Sequence, residues 1–379
     1  MADTGRRGDG GNEQRGGDAS KKKKNNNKKG GGREGKGEEV VFEEGLEGEA
    51  VERIRTAERQ EHRDLDLRDL RLRSVPELPG RLGKTLVRLC LEGNALTALP
   101  DKLSSLSSLQ ALGLSRNLLS DVPDALLRSS SLTRLHLSDN RLTSLPENGI
   151  SSSLTALYLS DNALADFPMA LTGASSLATL FVDGNPRIGS LPHEIGTLSG
   201  LTALNVSNTG LGDFPQAMDS LTGLRVLVAD DNALSSLPRV LGTLTSLRIL
   251  HLAGNKIADL DPDVLAPLDL LTSLNLERNS LSDPHAFPLS SLPSLTSLGL
   301  AGNSLKEIPS GLSFLAPTLT SLTLASNDIE HIPASMGSLT MLSTLSLAPN
   351  PIRNIPTLVL GGGTSAILEY INSSAFVDA

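Results

Sequence analysis

The stretch that decides the fold reads LTRLHLSDNRLTSLP and covers residues 132–146. Its leucines are Leu132, Leu135, Leu137, Leu142 and Leu145. This spacing fits neither the period of about 2 of a strand nor the period of about 3.6 of a helix. A short apolar-polar-apolar alternation followed by the polar Asn140 indicates a brief strand that ends in a turn.

The same pattern recurs along most of the chain. Counterparts of Asn140 occur every 22 to 24 residues with one doubled step, and they are Asn94, Asn117, Asn162, Asn185, Asn232, Asn255, Asn279, Asn303, Asn327 and Asn350. The doubled step is filled by LTALNVSNTGLGDFP, which places Thr209 at the asparagine position. A degenerate first copy, LDLRDLRLRSVP, places Leu70 there. Self-similarity at this period predicts a solenoid of about 13 repeats.

Each repeat is expected to contain one short strand. The leucines of Leu-x-Leu should point inward and the residue between them outward. One repeat cannot bury its leucines alone, but stacked repeats form a parallel sheet over a continuous core. The core should be aliphatic, because 39% of residues are hydrophobic while the chain has two Tyr, seven Phe and no Trp. The predicted fold class is therefore α/β, a horseshoe-shaped solenoid with a parallel concave sheet and a helical cap at each end.

The recurring asparagines are expected to form a structural ladder. Each amide can donate to and accept from backbone groups where the chain leaves the strand, and an unpaired buried group costs about 1 to 3 kcal/mol. Thr209 has a shorter reach, so its rung should be weaker. Prolines follow most ladder residues and should stop the strands. Asp261 and His285 replace them in two repeats, which predicts the least regular outer wall at residues 258–290.

The composition divides the chain into four segments. Residues 1–40 are rich in Gly, Lys and Asn and are expected to be disordered. Residues 41–64 should form an N-terminal capping helix that places Val51, Ile54 and Ala57 or Glu58 at helical spacing on the face toward the first strand. The repeats occupy 65–357. Residues 358–379 should form a C-terminal capping helix and tail, in which Thr364 caps a helix carrying Ile367, Leu368 and Ile371.

The pattern L-x-x-L-x-L-x-x-N-x-L-x-x-L-P resembles the signature of leucine-rich repeats from about Leu65 to Pro356. The first and last segments of the repeat region indicate a more specific group of leucine-rich repeat proteins. LDL at 65–67 with VP at 75–76, and NPIRNIP at 350–356 followed by GTSAILEYI at 363–371, are similar to intracellular proteins of the leucine-rich repeat-containing protein 40 type and the Ras-group-related type. The entry helix is longer and more charged than in that pattern. The resemblance implies a protein-binding scaffold and names no partner.

No catalytic, cofactor or metal site is predicted. Cys90 is the only cysteine and has no histidine in a neighbouring repeat, and the six histidines show no ligand spacing. GGGTS at 361–365 lacks the lysine of a phosphate loop, so a helix stop and restart is the better interpretation. Without paired cysteines, an apolar leader or a transmembrane run, the sequence favours a cytoplasmic protein.

The charge is distributed unevenly. Residues 1–40 hold 11 Lys and Arg against 7 Asp and Glu, which leaves 23 against 36 for the remainder. The basic run KKKKNNNKK, residues 21–29, is typical of a nuclear-import signal or an anionic-surface contact, and equally of a solubilising tail. The nucleus is therefore a second possible location.

A binding surface is predicted on the concave side. The outward residue between the two leucines forms a column of Cys90, Gly113, His136, Tyr158, Phe181, Asn205, Val228, His251, Asn275, Gly299, Thr323 and Ser346. Tyr158 and Phe181 are neighbours in it and should stand about 5 Å apart. Adjacent columns supply Asp139, Asp161, Asp183, Asp230, Asp231 and Glu277, flanked by Arg88, Arg116, Arg134 and Arg278. The aspartates have two interpretations, a binding patch or the ordinary turn composition of the repeats. Their replacement by Ala301, Ala325 and Ala348 in the last repeats favours the patch.

These features favour a non-enzymatic adaptor whose protein partner offers a basic or amphipathic segment to His136, Tyr158, Phe181, Asn205, His251 and the aspartates. The family resemblance adds small-GTPase or kinase signalling as the context. The alternative is a nucleic-acid or anionic-membrane binder that acts through the lysine-rich tail. No small-molecule substrate is expected.

Overall fold

The computed structural model describes the backbone of residues 39–376 and the side chains from residue 48 onward. Thirteen strands of three residues each are centred on leucines. They are β1 (Asp64–Asp66), β2 (Arg88–Cys90), β3 (Ala111–Gly113), β4 (Arg134–His136), β5 (Ala156–Tyr158), β6 (Thr179–Phe181), β7 (Ala203–Asn205), β8 (Val226–Val228), β9 (Ile249–His251), β10 (Ser273–Asn275), β11 (Ser297–Gly299), β12 (Ser321–Thr323) and β13 (Thr344–Ser346). The lysine-rich segment 21–29 and the rest of residues 1–38 lie outside the described residues.

The strands form one parallel sheet in chain order, from β1 to β13. Their register aligns the repeats, so that Leu135 pairs with Leu157 and Leu157 with Leu180. These leucines are fully buried, as are the second leucines of each Leu-x-Leu such as Leu137. Burial on the inner side of every strand leaves the first and third strand residues on the opposite side, which we call the concave face. The predicted solenoid fold is confirmed.

Helices lie at both ends and along the outer wall. The α-helices are α1 (Glu39–Arg59), α2 (Leu82–Thr85), α3 (Asp124–Leu127), α4 (Pro262–Leu265), α5 (Thr357–Leu360) and α6 (Gly363–Ile371). The 3₁₀ helices are Asp101–Ser105, Met169–Gly173, His193–Thr197, Gln216–Ser220, Arg239–Thr243, Leu289–Ser291, Leu312–Leu315 and Ala334–Ser338. Among the described residues, no helix has the length and apolar character needed to span a lipid bilayer.

The prolines have a different role from the predicted one. β4 already ends at His136, well before Pro146, so proline does not stop the strand. Instead most of these prolines come directly before an outer-wall helix, as Pro192 does with φ −75° before His193–Thr197. A residue without an N–H is well placed at a helix start, where the first N–H groups have no intrahelical partner.

The outer wall between 258 and 290 departs from the common pattern. Asp261 replaces proline and its side chain accepts the Asp263 N–H at 3.1 Å, which starts α4 in place of a 3₁₀ helix. In the next repeat only Leu289–Ser291 is helical. However, the segment after Pro146 forms turns without a helix up to β5, so the predicted stretch is not the only irregular one.

The asparagine ladder is present and pairs the backbone groups as predicted. Asn140 is representative: its Nδ2 donates to the carbonyl oxygens of Leu114 and Leu137 at 3.0 Å, and its Oδ1 accepts the Leu119 N–H at 3.0 Å. One side chain therefore joins its own repeat to the preceding one. The ladder fixes the register that aligns the concave columns.

Thr209 makes a smaller rung with a local compensation. Its hydroxyl lies 2.5 Å from the Val206 carbonyl oxygen and 3.2 Å from Asn232 Oδ1, and neither contact is with the preceding repeat. In the preceding repeat, the Ile188 N–H donates to the Asn185 carbonyl at 3.2 Å and the Gly189 N–H donates to the Thr209 carbonyl at 2.8 Å. The backbone groups next to Thr209 are thus paired without a long amide.

The N-terminal cap is a helix with a narrow buried face. Ala50, Ile54 and Ala57 of α1 are at most 4% exposed, whereas Val51 is 38% exposed. The prediction that Val51 faces inward is therefore wrong, because the buried stripe begins one residue earlier. Arg53 on the same helix donates from Nη1 to the Asp66 carbonyl of the edge strand β1 at 3.0 Å.

The C-terminal cap begins where Gly361 and Gly362 separate α5 from α6, whose first residue is Gly363. Ile367 and Ile371 are buried as predicted. Thr364 does not cap the helix, because it already lies inside α6 and its hydroxyl accepts the Leu345 N–H of the edge strand β13 at 2.9 Å. Each end of the sheet thus has a backbone group paired by a cap side chain.

Candidate functional site

The centre of the concave face carries three rings on three adjacent strands. His136, Tyr158 and Phe181 are the third residues of β4, β5 and β6, and the parallel register places them side by side. The Tyr158 and Phe181 ring centroids are 5.3 Å apart with planes at 86°, an edge-to-face contact. The His136 and Tyr158 rings are stacked, with centroids 4.3 Å apart and planes at 12°. We call these three residues the ring cluster.

All three residues of the ring cluster are half-buried. Burial lowers the pKa of His136, because removal from water disfavours the imidazolium, and the charge of Glu92 partly opposes this. The predicted spacing of Tyr158 and Phe181 agrees with the structure. The stacking of His136 on Tyr158 depends on side-chain rotation, which a repeat pattern does not specify.

Two acidic residues, Asp183 and Asp230, lie two positions beyond the ends of their strands. Asp183 Oδ1 accepts the Ser160 hydroxyl at 2.7 Å, and Asp230 Oδ1 accepts the Ala253 N–H at 2.6 Å. Burial is the largest influence on both and raises the pKa of each carboxyl. Both carboxylates are therefore held in fixed positions in a poorly hydrated place, where a partner cation would be attracted strongly.

A second acidic column has a backbone explanation. The residue before every ladder position except Asn350 has positive φ, including Asp139 at 54°, Asp161 at 52° and Asp231 at 52°. Glycine, asparagine and aspartate tolerate this left-handed conformation best, so turn composition accounts for part of the acid. It does not account for Asp183 and Asp230, whose φ values are not in that region.

The acidic residues differ in how far they are already paired. Asp231 Oδ1 lies 2.9 Å from Arg278 Nη1, and this contact raises the pKa of Arg278. Asp139 and Asp161 are exposed, and among the described side chains neither forms an ion pair. A cationic partner would therefore find free carboxylates next to the ring cluster and a neutralised one at Asp231.

Two predicted site residues are engaged within their own sheet. Asn205 Oδ1 accepts the backbone N–H of Ser207 at 3.1 Å and its hydroxyl at 2.8 Å. His251 Nε2 lies 3.0 Å from the Ser273 hydroxyl. Both are half-buried and lie on β7 and β9, beyond the ring cluster.

Glu92 is a residue that sequence reasoning did not place at the site. A Cβ added at Gly113 would overlap the Glu92 carboxylate, which therefore extends over the glycine of the next repeat toward His136. A related arrangement occurs at Gly299, where an added Cβ would overlap Asn275 Oδ1 and lie 3.2 Å from Glu277 Cγ, while Glu277 Oε1 accepts the Thr323 hydroxyl two repeats along at 2.5 Å. The sequence signal is a glutamate two positions after the strand, with glycine as the last strand residue of the next repeat.

Glu92 Oε2 is shielded from solvent and has no hydrogen-bond partner among the described residues. Cys90 lies close by, and burial together with the charges of Glu92 and Asp66 raises the pKa of its thiol. A raised pKa disfavours the thiolate that a nucleophile needs. Within residues 48–376, no group of three or more His, Cys, Asp or Glu side chains could hold a metal ion.

Comparison with known proteins agrees with this architecture. A family model described as leucine rich repeat matches residues 84–142, 130–186, 223–281 and 293–352, more than half of the chain. A comparison with curated proteins gave no match.

Several solved structures are similar. An internalin (InlF) of Listeria monocytogenes has a TM-score of 0.69 at 26% identity, over 84% of this chain and 92% of that one. A leucine-rich repeat protein of Leptospira interrogans has a TM-score of 0.65 at 25% identity, over 81% and 88%. The ectodomain of the Arabidopsis thaliana receptor kinase GASSHO1/SCHENGEN3, in complex with Casparian strip integrity factor 2, has a TM-score of 0.57 at 30% identity, over 72% and 37%.

Proposed function

Since this chain belongs to the leucine-rich repeat family, we propose that it is a non-catalytic adaptor that binds a partner protein on the concave face of its sheet. Leucine-rich repeat proteins generally mediate protein–protein interaction. The observation that carries the proposal is the ring cluster, three contacting rings in a chain with only two Tyr, seven Phe and no Trp. Partly exposed aromatic clusters are typical anchors of protein interfaces.

The chemistry of the surroundings supports a partner with a basic or amphipathic segment. Tyr158 and Phe181 offer apolar area, while Asp139, Asp161 and Asp183 offer negative charge beside it. Charges at the edge of an interface mainly set orientation and association rate, and apolar contact mainly sets residence time. The solved complex of the Arabidopsis receptor ectodomain supports the general idea that this fold accommodates a protein ligand.

The proposal also includes the context given by the chain ends. Their resemblance to the leucine-rich repeat-containing protein 40 type and the Ras-group-related type supports a role in small-GTPase or kinase signalling. The single cysteine supports a reducing compartment such as the cytoplasm. The competing idea, nucleic-acid or anionic-membrane binding, depends on residues 21–29, which lie outside the described part of the chain.

The test is affinity purification of the full chain from native lysate, followed by mass spectrometry. We expect the double variant Tyr158→Ser/Phe181→Ser to lose the main partners. The matched control is Phe314→Ser/Met341→Ser, which removes two apolar side chains that are 64% and 53% exposed away from the strands. An unchanged set of partners in the first variant, or an equal loss in both, would contradict the proposal.

A further inference from the structure

Three places in the turns after the strands share one arrangement, which we call an Asp-Gly-X triplet. An aspartate just before the ladder position is followed one repeat later by a glycine, and two repeats later by a third residue. The triplets are Asp69–Gly93–Arg116, Asp161–Gly184–Asn208 and Asp231–Gly254–Arg278. All nine residues have left-handed backbones, with φ between 49° and 70°. The three triplets therefore present their side chains from equivalent backbone positions.

In two triplets the third residue is an arginine that meets the aspartate across the glycine. Arg278 Nη1 lies 2.9 Å from Asp231 Oδ1, and Arg116 Nη2 lies 3.5 Å from Asp69 Oδ1. A Cβ at Gly93 or Gly254 would overlap the aspartate carboxylate and would lie 3.3 Å from the arginine. The absence of a side chain at the glycine is thus what allows the carboxylate and the guanidinium to meet.

The middle triplet has the same acid and glycine but ends in Asn208. The Asp161 carboxylate extends over Gly184 just as the other two do, because a Cβ there would overlap it. Asn208 is shorter than arginine and uncharged. Within residues 48–376, Asp161 forms no ion pair, and its charge contributes to raising the pKa of Asp183 in the next repeat. Among the described residues, neither of these two neighbouring carboxylates is paired with a cation.

The middle triplet is also the one beside the ring cluster. Asp161 follows Tyr158 by three residues and Asp183 follows Phe181 by two. The other two triplets lie in repeats without a tyrosine or phenylalanine in the concave column. A cation above this triplet would therefore contact carboxylates on one side and aromatic rings on the other, and both attract it.

We propose that an arginine of the partner protein supplies the third member of the Asp161–Gly184–Asn208 triplet, with its guanidinium paired to Asp161 and its flat face toward Phe181. This inference rests on the proposed function and specifies which side chain of the partner is recognised. Arginine is favoured over lysine because the protein itself uses arginine in both complete triplets, and because a planar guanidinium can pair with a carboxylate and stack on a ring together.

The experiment compares fluorescein-labelled oligo-arginine and oligo-lysine peptides of equal length, titrated with the full chain and followed by fluorescence anisotropy. We expect the wild type to bind oligo-arginine about fivefold more tightly, the upper range for an exposed ion pair. Asn208→Arg should supply the cation intramolecularly and remove this preference. Arginine is compatible with that backbone, since Arg116 and Arg278 have φ of 57° and 53° against 49° at Asn208.

Two further variants define the result. Asp161→Asn should also remove the preference, whereas the matched control Asn208→Gln, which adds length without charge, should keep it. A preference that survives in Asn208→Arg would overturn the inference, because it would arise elsewhere. If the two peptides bound the wild type equally well and neither bound Tyr158→Ser/Phe181→Ser, the arginine inference would be overturned and the proposed function would remain intact. Failure of both peptides to bind would overturn the inference and the cationic partner together.

Discussion

At the scale of one residue, we expect Asp183 to affect both the binding of a partner and the stability of the fold. Burial raises the pKa of its carboxyl, so the folded state holds an ionised group at a cost. We expect Asp183→Asn to increase the free energy of unfolding at neutral pH, and to weaken binding of a basic peptide. Asparagine retains an oxygen for the Ser160 hydroxyl, so the hydrogen bond should persist.

The pH dependence of the free energy of unfolding provides a control for this prediction. The folded-state pKa of Asp183 lies above the ordinary 3.8, so between these two values the folded state binds more protons than the unfolded state. The stability of the wild type therefore falls as pH rises from about 3.8 through the folded-state pKa. The difference between wild type and Asp183→Asn in urea unfolding should therefore vanish at strongly acidic pH and be constant well above the folded-state pKa. A variant less stable than wild type at neutral pH would contradict the assignment.

The ladder makes a second prediction about single residues. Thr209→Val removes the hydroxyl and its contacts with the Val206 carbonyl and Asn232 Oδ1, and should lower the free energy of unfolding by about 1 kcal/mol. Asn255→Val removes bonds to Ala229, Leu252 and the Leu234 N–H, so it should cost about 3 kcal/mol or more. Urea unfolding monitored by circular dichroism would measure both. Equal costs would mean that the local pairing around Ile188 does not compensate for the missing amide.

The sequence predicts residue positions better than residue contacts. It places Tyr158 and Phe181 side by side because the register follows from the repeat length. It does not reveal that Asp231 is neutralised by Arg278 two repeats away, since this depends on a glycine in between. Nor does it reveal the position of Glu92 over Gly113, for the same reason. In both cases an absent side chain, invisible in a pattern of leucines, decides the contact.

Among the elements, the caps make a prediction about the sheet edge. Thr364 accepts the Leu345 N–H of β13, so Thr364→Val should leave that donor without its partner and destabilise the chain by about 1 kcal/mol. An unpaired edge also favours pairing with another chain. We expect more dimer in light scattering after size-exclusion chromatography. Thr364→Ser keeps the hydroxyl and should behave as wild type; an equal effect of both variants would exclude the hydroxyl as the cause.

The Asp-Gly-X triplets make a further prediction for the turns after the strands. Gly254→Ala introduces a Cβ at φ 68° and displaces the Asp231 carboxylate, so it should destabilise the chain by about 1 to 2 kcal/mol. Gly212→Ala is the matched control, because Gly212 has no positive φ and no heavy atom within 4 Å of an added Cβ. Thermal unfolding of the two variants measures the difference. A Gly254→Ala variant as stable as the control would show that the turn adjusts freely.

The strands and helices show which sequence patterns predict secondary structure correctly and why. Leucine spacing predicts every strand because each leucine must be buried against its neighbours in the next repeat. The glycines at 361–363 correctly predict the break between α5 and α6. The prediction that proline stops the strands is wrong, because its missing N–H suits a helix start as well as a strand end, and only the position of the outer-wall helix distinguishes the two.

At the scale of the whole molecule, charge and aromatic area act on different steps of binding. The chain has a net charge of −9, and residues 41–379 hold 23 basic against 36 acidic residues. Long-range attraction of a basic segment acts before contact and is screened by salt. The ring cluster acts only after contact, because apolar burial has no long range.

These two contributions should therefore separate in the kinetics of binding. For an oligo-arginine peptide followed by stopped-flow fluorescence, we expect the association rate constant to fall about tenfold between low and physiological salt, because screening removes the steering. The dissociation rate constant should change much less. Tyr158→Ser/Phe181→Ser should show the opposite signature, faster dissociation with nearly unchanged association, because it leaves every charge in place. If the ring variant slowed association instead, the rings would be needed to form the acidic surface, and the division of roles between the rings and the carboxylates would be wrong.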